Sequence, residues 1–184
     1  DVEMSAEAFI GADFVVAQLE VPFEAIEQAF KIARKQNITT VLNPAPAIEL
    51  PKSLLELTDI IIPNETEAEL LTGISINNES DMKETATYFL DLGISAVLIT
   101  LGEQGTYCAY QEQYKMIPAC NVKAIDTTAA GDTFIGAFLS ELNKDLSNLE
   151  SAIRLANQAS SLTVQRKGAQ ASIPTRKEVE AEYN

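Results

Sequence analysis

The chain has 184 residues, 27 acidic against 13 basic for a net charge of −14, and 46% of its residues are apolar. That length and composition suit one folded domain with its own core, while the charge repels phosphate backbones and argues against a general nucleic-acid binder. With no histidine and no tryptophan, Ser-His-Asp and Cys-His nucleophile systems and histidine-ligated zinc are excluded.

No apolar run reaches the roughly 18 residues that cross a bilayer, and Asp1-Val2-Glu3 does not open a signal peptide. Cys108 and Cys120 form no C-x-x-C pair and read as reduced intracellular thiols. A cytoplasmic protein without membrane or nucleic-acid partners is therefore expected. The first residue is Asp1 rather than Met, which fits either a processed N-terminus or a piece of something longer.

In chain order, Asp13–Leu19 is a short apolar run suited to a buried strand. Pro22 marks a helix start, and Phe23, Ile26, Phe30 and Ala33 recur at helical spacing up to Gln36. Thr39–Leu42 is the next strand, stopped by Asn43-Pro44-Ala45-Pro46. Leu54–Leu57 closes a short helical turn before a strand at Asp59–Ile62. Asn64-Glu65-Thr66-Glu67 has the form of a capping box and opens a helix that stops at Gly73. Another helix spans about Ser80 to Leu92. Ile94–Thr100 is apolar on both faces, as buried parallel strands are. Gly105–Tyr110 and Gln113–Ile117 flank a tight turn at Gln111-Glu112 and predict an antiparallel pair at a sheet edge. Val122–Ile125 is expected as a strand, followed by helices from about Gly131 to Leu142, over Leu149–Val164 and over Thr175–Tyr183. The alternation predicts one α/β domain over residues 1–184, three-layer α/β/α, with a mostly parallel sheet and an antiparallel edge pair. Such sheets bind ligands beyond the C-terminal ends of their strands, which directs attention to the loops at Glu20, Asn43, Asn64, Gly102 and Asp126.

The most informative of these is Asp126-Thr127-Thr128-Ala129-Ala130-Gly131-Asp132-Thr133-Phe134. A run of small residues leads into a helix, whose first N–H groups and positive end form a ready anion site. Asp132 falls in the first helical turn beside it, where a carboxylate could hydrogen-bond a substrate hydroxyl while the amides hold a phosphoryl group. An aspartate there is also stabilising in its own right, so the local sequence leaves both readings open. No G-x-x-x-x-G-K-[ST] occurs; phosphate must be held by backbone amides, helix ends and metal ions.

The run from Asp126 to Asp132, followed by Thr133-Phe134-Ile135-Gly136-Ala137, resembles the C-terminal signature of the ribokinase (PfkB) family of carbohydrate kinases. Asn43-Pro44-Ala45-Pro46, Pro63-Asn64-Glu65-Thr66-Glu67-Ala68-Glu69, Thr100-Leu101-Gly102-Glu103-Gln104-Gly105 and Arg166-Lys167-Gly168-Ala169-Gln170 support the resemblance. Their order and separations are closer to the family's ribose kinases than to its fructose or adenosine kinases.

The resemblance implies ATP-dependent phosphorylation of the 5-hydroxyl of D-ribose. It gives Asp132 the role of catalytic base and the amides of Ala130, Gly131 and Asp132 that of an anion hole. It assigns Asn64 and Glu67 to the motif that organises Mg²⁺ and phosphates. Thr100, Leu101, Gly102, Glu103, Gln104 and Gly105 match the loop under the nucleotide, Asn157 the adenine pocket, and Glu20 a ribose contact. Asp126, Thr128, Thr163, Arg166, Gly168 and Ser172 match positions that ring a monovalent cation, K⁺, mostly through main-chain carbonyls.

Each position also has a plainer reading: a capping box for Asn64 and Glu67, turns for Gly102 and Gly105, a solvated charge for Glu20, a basic helix end for Arg166-Lys167-Gly168. The resemblance covers only the C-terminal part of the family fold. Without the N-terminal lid and sugar-gripping segment the sheet should lack strands and the ribose pocket should lie open. The complete protein would be a homodimer. A kinase of another sugar or nucleoside, and a truncated nucleotide-binding module without catalysis, stand as alternatives.

Overall fold

The computed structural model describes residues 2–183. After a 3-10 helix at Glu3–Phe9 come β1 (Phe14–Ala17), α1 (Phe23–Lys35), β2 (Thr39–Leu42), α2 (Lys52–Glu56), β3 (Ile60–Ile61), α3 (Glu65–Thr72), α4 (Glu79–Asp91) and β4 (Ala96–Thr100). A 3-10 turn at Gly102–Gln104 leads to β5 (Thr106–Tyr110) and β6 (Gln113–Ile117), and then follow α5 (Ala130–Glu141), α6 (Leu149–Thr163), a 3-10 turn at Gln170–Ser172 and α7 (Arg176–Tyr183). The six strands form one sheet in sequence order. Strands β1 to β4 pair in parallel, with Phe14 opposite Thr39, Val41 opposite Ile60 and Ile60 opposite Ala96. Strands β5 and β6 are joined by Gln111 and Glu112, both at positive φ (49° and 61°), the two-residue turn that suits an antiparallel hairpin. The expected mostly parallel α/β sheet with an antiparallel edge, flanked by helices, is what the chain forms.

The chain divides into two compact units: Asp1–Thr100 with Tyr107–Lys115, and Leu101–Thr106 with Met116–Asn184. In the first, the fully buried side chains of Phe30 on α1, Phe89 on α4 and Leu42, Ile60, Ile61, Leu98 and Ile99 on the strands make the core. Each buried phenylalanine there contributes about 2–3 kcal/mol. Helix α1 presents Ile26, Phe30 and Ala33 inward at helical spacing. The capping box of α3 is complete, and the helix closes on Gly73 in the left-handed conformation. In the second unit α5 and α6 pack together, with Phe134 and Phe138 stacked at 6.2 Å on α5. Val179 of α7 is buried against Ala159 and Leu162, and Ala137, Leu155 and Tyr183 pack around them.

One expected element is absent. Val122–Ile125 joins no ladder. The N–H groups of Ile125 and Asp126 both donate to the carbonyl of Val164, at 2.7 and 3.1 Å. That partner is the end of α6 rather than a strand, so this stretch with two β-branched residues joins no sheet. The N-terminal 3-10 helix, whose residues bury nothing, carries no apolar period that would have predicted it. Neither Cys108 nor Cys120 is in a disulfide.

Candidate functional site

Parallel strands bring their C-terminal ends to one edge, and in the first unit that edge is tied by polar side chains. The amide of Gln18 donates to Asn43 Oδ1 at 2.7 Å, and Asn43 Nδ2 donates to the carbonyl of Ile62 at 2.8 Å. Asn64 follows β3 and forms an isolated bridge to Thr100 at the end of β4, whose N–H donates to the carbonyl of Pro63 at 2.9 Å. Two predicted nucleotide residues, Asn64 and Thr100, are thus neighbours. Glu20 lies in the exposed turn after β1.

Glu67 is buried. Its carboxylate accepts from the Asn64 N–H and from Asn64 Nδ2, each at 2.8 Å, and its own N–H donates to Asn64 Oδ1 at 2.9 Å. Burial pushes its carboxyl up, against the lowering effect of the Asn64 N–H. The motif caps α3, and the Glu67 carboxylate keeps acceptor capacity on both oxygens. Among the described residues there is no cluster of three or more acidic, histidine or cysteine side chains that could cage a metal. A cation at Glu67 would take most of its ligands from water or phosphate, as Mg²⁺ does.

The second unit holds the rest of the predicted site. Ala129 adopts a left-handed φ of 62° immediately before α5. That conformation costs an alanine about 1 kcal/mol, and it turns the segment that precedes it into the helix. The Ala130 N–H donates to Thr127 O at 3.2 Å and the Thr133 N–H to Ala129 O at 2.9 Å. Of the three amides expected to form an anion hole, that of Ala130 is thus already engaged in the turn. Asp132 is exposed in the first turn of α5. A cavity of about 320 Å³ opens along that face of the helix, lined among others by Asp132, Gly136, Ser140, Pro174 and Arg176.

Asp126 organises the turn. Its Oδ1 accepts from the N–H and hydroxyl of Thr128 at 3.0 and 2.7 Å, and its Oδ2 from the N–H of Gly168 at 3.0 Å. The Gly168 N–H, with the hydroxyl and N–H of Thr128, holds this carboxyl down to about 2 from an ordinary 3.8. A group whose pKa falls on folding stabilises the fold above its unfolded value. The contribution from Asp126 is therefore complete above about pH 3.8 and lost as pH drops through that value towards 2. Urea titrations between pH 2 and 5 should show Asp126→Asn flattening this acid limb; an unchanged slope would remove the carboxylate from the clasp.

Three of the six predicted cation positions, Asp126, Thr128 and Gly168, sit within this bonded assembly. Thr163 is buried and its hydroxyl donates to Thr133 Oγ1 at 3.0 Å, while Arg166 N–H donates to Thr163 O at 3.0 Å. Ser172 is buried with its hydroxyl on Ala169 O at 2.6 Å. Sequence reasoning missed Ser160, whose hydroxyl donates to Ala130 O at 2.8 Å and ties α6 to the start of α5.

The turn Gly102–Gln104 closes through the Leu101 N–H on Gly105 O at 2.8 Å. Asn157 packs beside it as a buried bridge: Nδ2 donates to the carbonyls of Ile117 and Pro118 at 3.0 and 3.2 Å, and Oδ1 accepts from Thr106 at 2.9 Å. Its donors are thereby used within the chain. Asn157→Ala would leave Thr106 and two carbonyls unpaired and should cost about 2–3 kcal/mol, read as a lower urea midpoint. A loss below about 0.5 kcal/mol would mean these bonds carry no net weight.

A model described as pfkB family carbohydrate kinase matches residues 4–176. The chain is 64% identical over 179 residues to a ribokinase of Staphylococcus aureus, covering 97% of this chain and 59% of that protein. It is 51% identical to a bifunctional ribokinase/ribose-5-phosphate isomerase A of Fructilactobacillus sanfranciscensis, covering 97% of this chain and 33% of that protein. The structure of Arabidopsis thaliana ribokinase complexed with ribose and ATP superimposes with a TM-score of 0.91 at 32% identity, covering 97% of this chain and 58% of that one. The chain thus spans less than two thirds of the length of these relatives.

Proposed function

This chain belongs to the pfkB family of carbohydrate kinases, and from that premise we propose that it carries the nucleotide-binding and catalytic part of an enzyme that moves the γ-phosphoryl group of ATP to the 5-hydroxyl of D-ribose. The observation that supports this reading most is the left-handed turn at Ala129, which starts α5 with Asp132 exposed beside small residues.

Asp132 takes the proton of the sugar hydroxyl as the oxygen attacks the γ-phosphorus. The bond from phosphorus to the β–γ bridging oxygen breaks, and ADP leaves with that electron pair. The N–H groups of Gly131 and Asp132 face the charge on the transferred group, and Ala130 joins them only by releasing Thr127. The Gly102–Gly105 turn supports the nucleotide, and Asn157 acts by bracing that turn. Glu20 is assigned to the ribose.

Glu67, held by Asn64, would help to hold a Mg²⁺ ion through its waters. That ion would supply charge neutralisation on the phosphates. Asp126, Thr128, Thr163, Arg166, Gly168 and Ser172 are assigned to K⁺, which they would hold mostly through main-chain carbonyls, and oxygen donors of that kind suit the ion. When bound, K⁺ would stiffen the turn that leads to Ala130. Cytoplasmic residence and a homodimer complete the assignment. Among the described residues no helix is long and apolar enough to cross a membrane.

The test is ADP release from ATP against ribose, 2-deoxyribose, fructose and adenosine, with the protein as the cell makes it. Ribose should have the highest kcat/KM. A preference for fructose or adenosine would overturn the acceptor while leaving the kinase chemistry. ATP binding without turnover on any acceptor would favour a non-catalytic nucleotide-binding module.

A further inference from the structure

Resting on the catalytic reading of the turn before α5, we propose that Glu178 on α7 is a positioning residue for that turn, acting through Arg166 and the loop that follows α6. Its carboxylate is a three-bond hub. One oxygen accepts from the N–H and hydroxyl of Thr175, each at 2.8 Å, and caps α7. The other accepts from Arg166 at 2.8 Å.

Arg166 belongs to the loop that grips the catalytic segment from both sides. The Val164 carbonyl holds the N–H groups of Ile125 and Asp126, and the Gly168 N–H holds Asp126 Oδ2 at 3.0 Å. Asp126 in turn fixes Thr128, one residue before the left-handed Ala129. A path of hydrogen bonds, joined by the short chain links Arg166–Gly168 and Thr128–Ala129, therefore runs from α7 to the residue that sets the start of α5.

Helix α7 is suited to be the fixed end of this path. Val179 anchors it in the apolar cluster with Ala159 and Leu162, and Arg176 bonds Glu141 at 2.7 Å and Glu180 at 2.8 Å. Loss of the Glu178 carboxylate thus frees the loop while the helix stays docked. The Glu178–Arg166 pair is exposed, and such pairs hold their partners by modest factors, which suits tuning the turn rather than building it.

The test is amide hydrogen exchange on the protein as the cell makes it. In Glu178→Ala the Gly168 and Thr128 amides should exchange about fivefold faster, with Val179 unchanged. Arg166→Gln, which leaves the α7 cap in place, should reproduce the change, and the double variant should add nothing further. Unchanged Gly168 and Thr128 exchange in Arg166→Gln overturns the proposal, whatever Glu178→Ala does to α7. In a sugar-phosphorylation assay kcat should fall with the KM for ATP unaltered. Exchange changes with an unaltered kcat in the protein as the cell makes it keep the path from Glu178 to Asp126 and refute the function assigned to the turn.

Discussion

Asp132→Asn should lower kcat for sugar phosphorylation by about a hundredfold to ten-thousandfold while the affinity for ATP stays within about twofold. The substitution keeps the shape of the side chain and its capacity to accept one hydrogen bond. It removes the ability to take a proton. Asp132 is exposed in the first turn of α5, so folding is little affected; the lost attraction to the helix end is worth about 0.5 kcal/mol. Steady-state ADP release combined with calorimetry of ATP binding separates the two quantities. Turnover within about tenfold of the parent would reject Asp132 as the base. A parallel loss of nucleotide affinity would make it a binding residue instead.

Gly105→Ala should be the most destabilising of the glycine-to-alanine changes, costing about 3 kcal/mol or more. Gly105 has a φ of 112°, and a Cβ added there would sit 2.2 Å from Ile117 O, 2.5 Å from Ala119 N and 2.7 Å from Pro118 C. All three are backbone atoms, so no rotamer change can relieve the overlap. They belong to the segment whose carbonyls Asn157 holds, and the damage spreads to the turn under the proposed nucleotide. Gly93 is the matched control: its φ is 93°, with nothing within 4 Å of an added Cβ, and alanine there should cost only about 1 kcal/mol. Thermal or urea melts of both variants measure the difference. Equal losses would mean that conformational strain alone, and not the packed backbone, makes Gly105 necessary.

Much of this architecture was legible in the residues. The helical spacing of Ile26, Phe30 and Ala33 and the doubly apolar run before Thr100 depend on local periodicity, and they yield α1 and β4 nearly to the residue. The capping box at Asn64 is equally local, because its partners lie three residues apart. What the sequence hid depends on distant partners. Val122–Ile125 has a strand's composition, but its donors find the end of α6 about 40 residues on. Asn157, which the resemblance assigns to the adenine pocket, also bonds Thr106 and Ile117, 51 and 40 residues away, a bridge that no local pattern signals.

The left-handed Ala129 gave no signal either, since alanine is not a residue that favours that conformation. Thr175-Arg176-Lys177-Glu178 did carry the readable S/T-x-x-E pattern of a capping box. Its second duty, toward Arg166, required the fold.

The assignment turns on whether the amides at the start of α5 meet a nucleotide's terminal phosphate. Titrating the ¹⁵N-labelled chain with Mg·ATP tests this most directly. The Gly131 and Asp132 amide resonances should move most among those of the second unit, and Mg·ADP, which lacks the transferred group, should move them far less. If Mg·ATP at millimolar concentration leaves both resonances in place, or if ADP moves them as far, this turn does not hold the transferred phosphate.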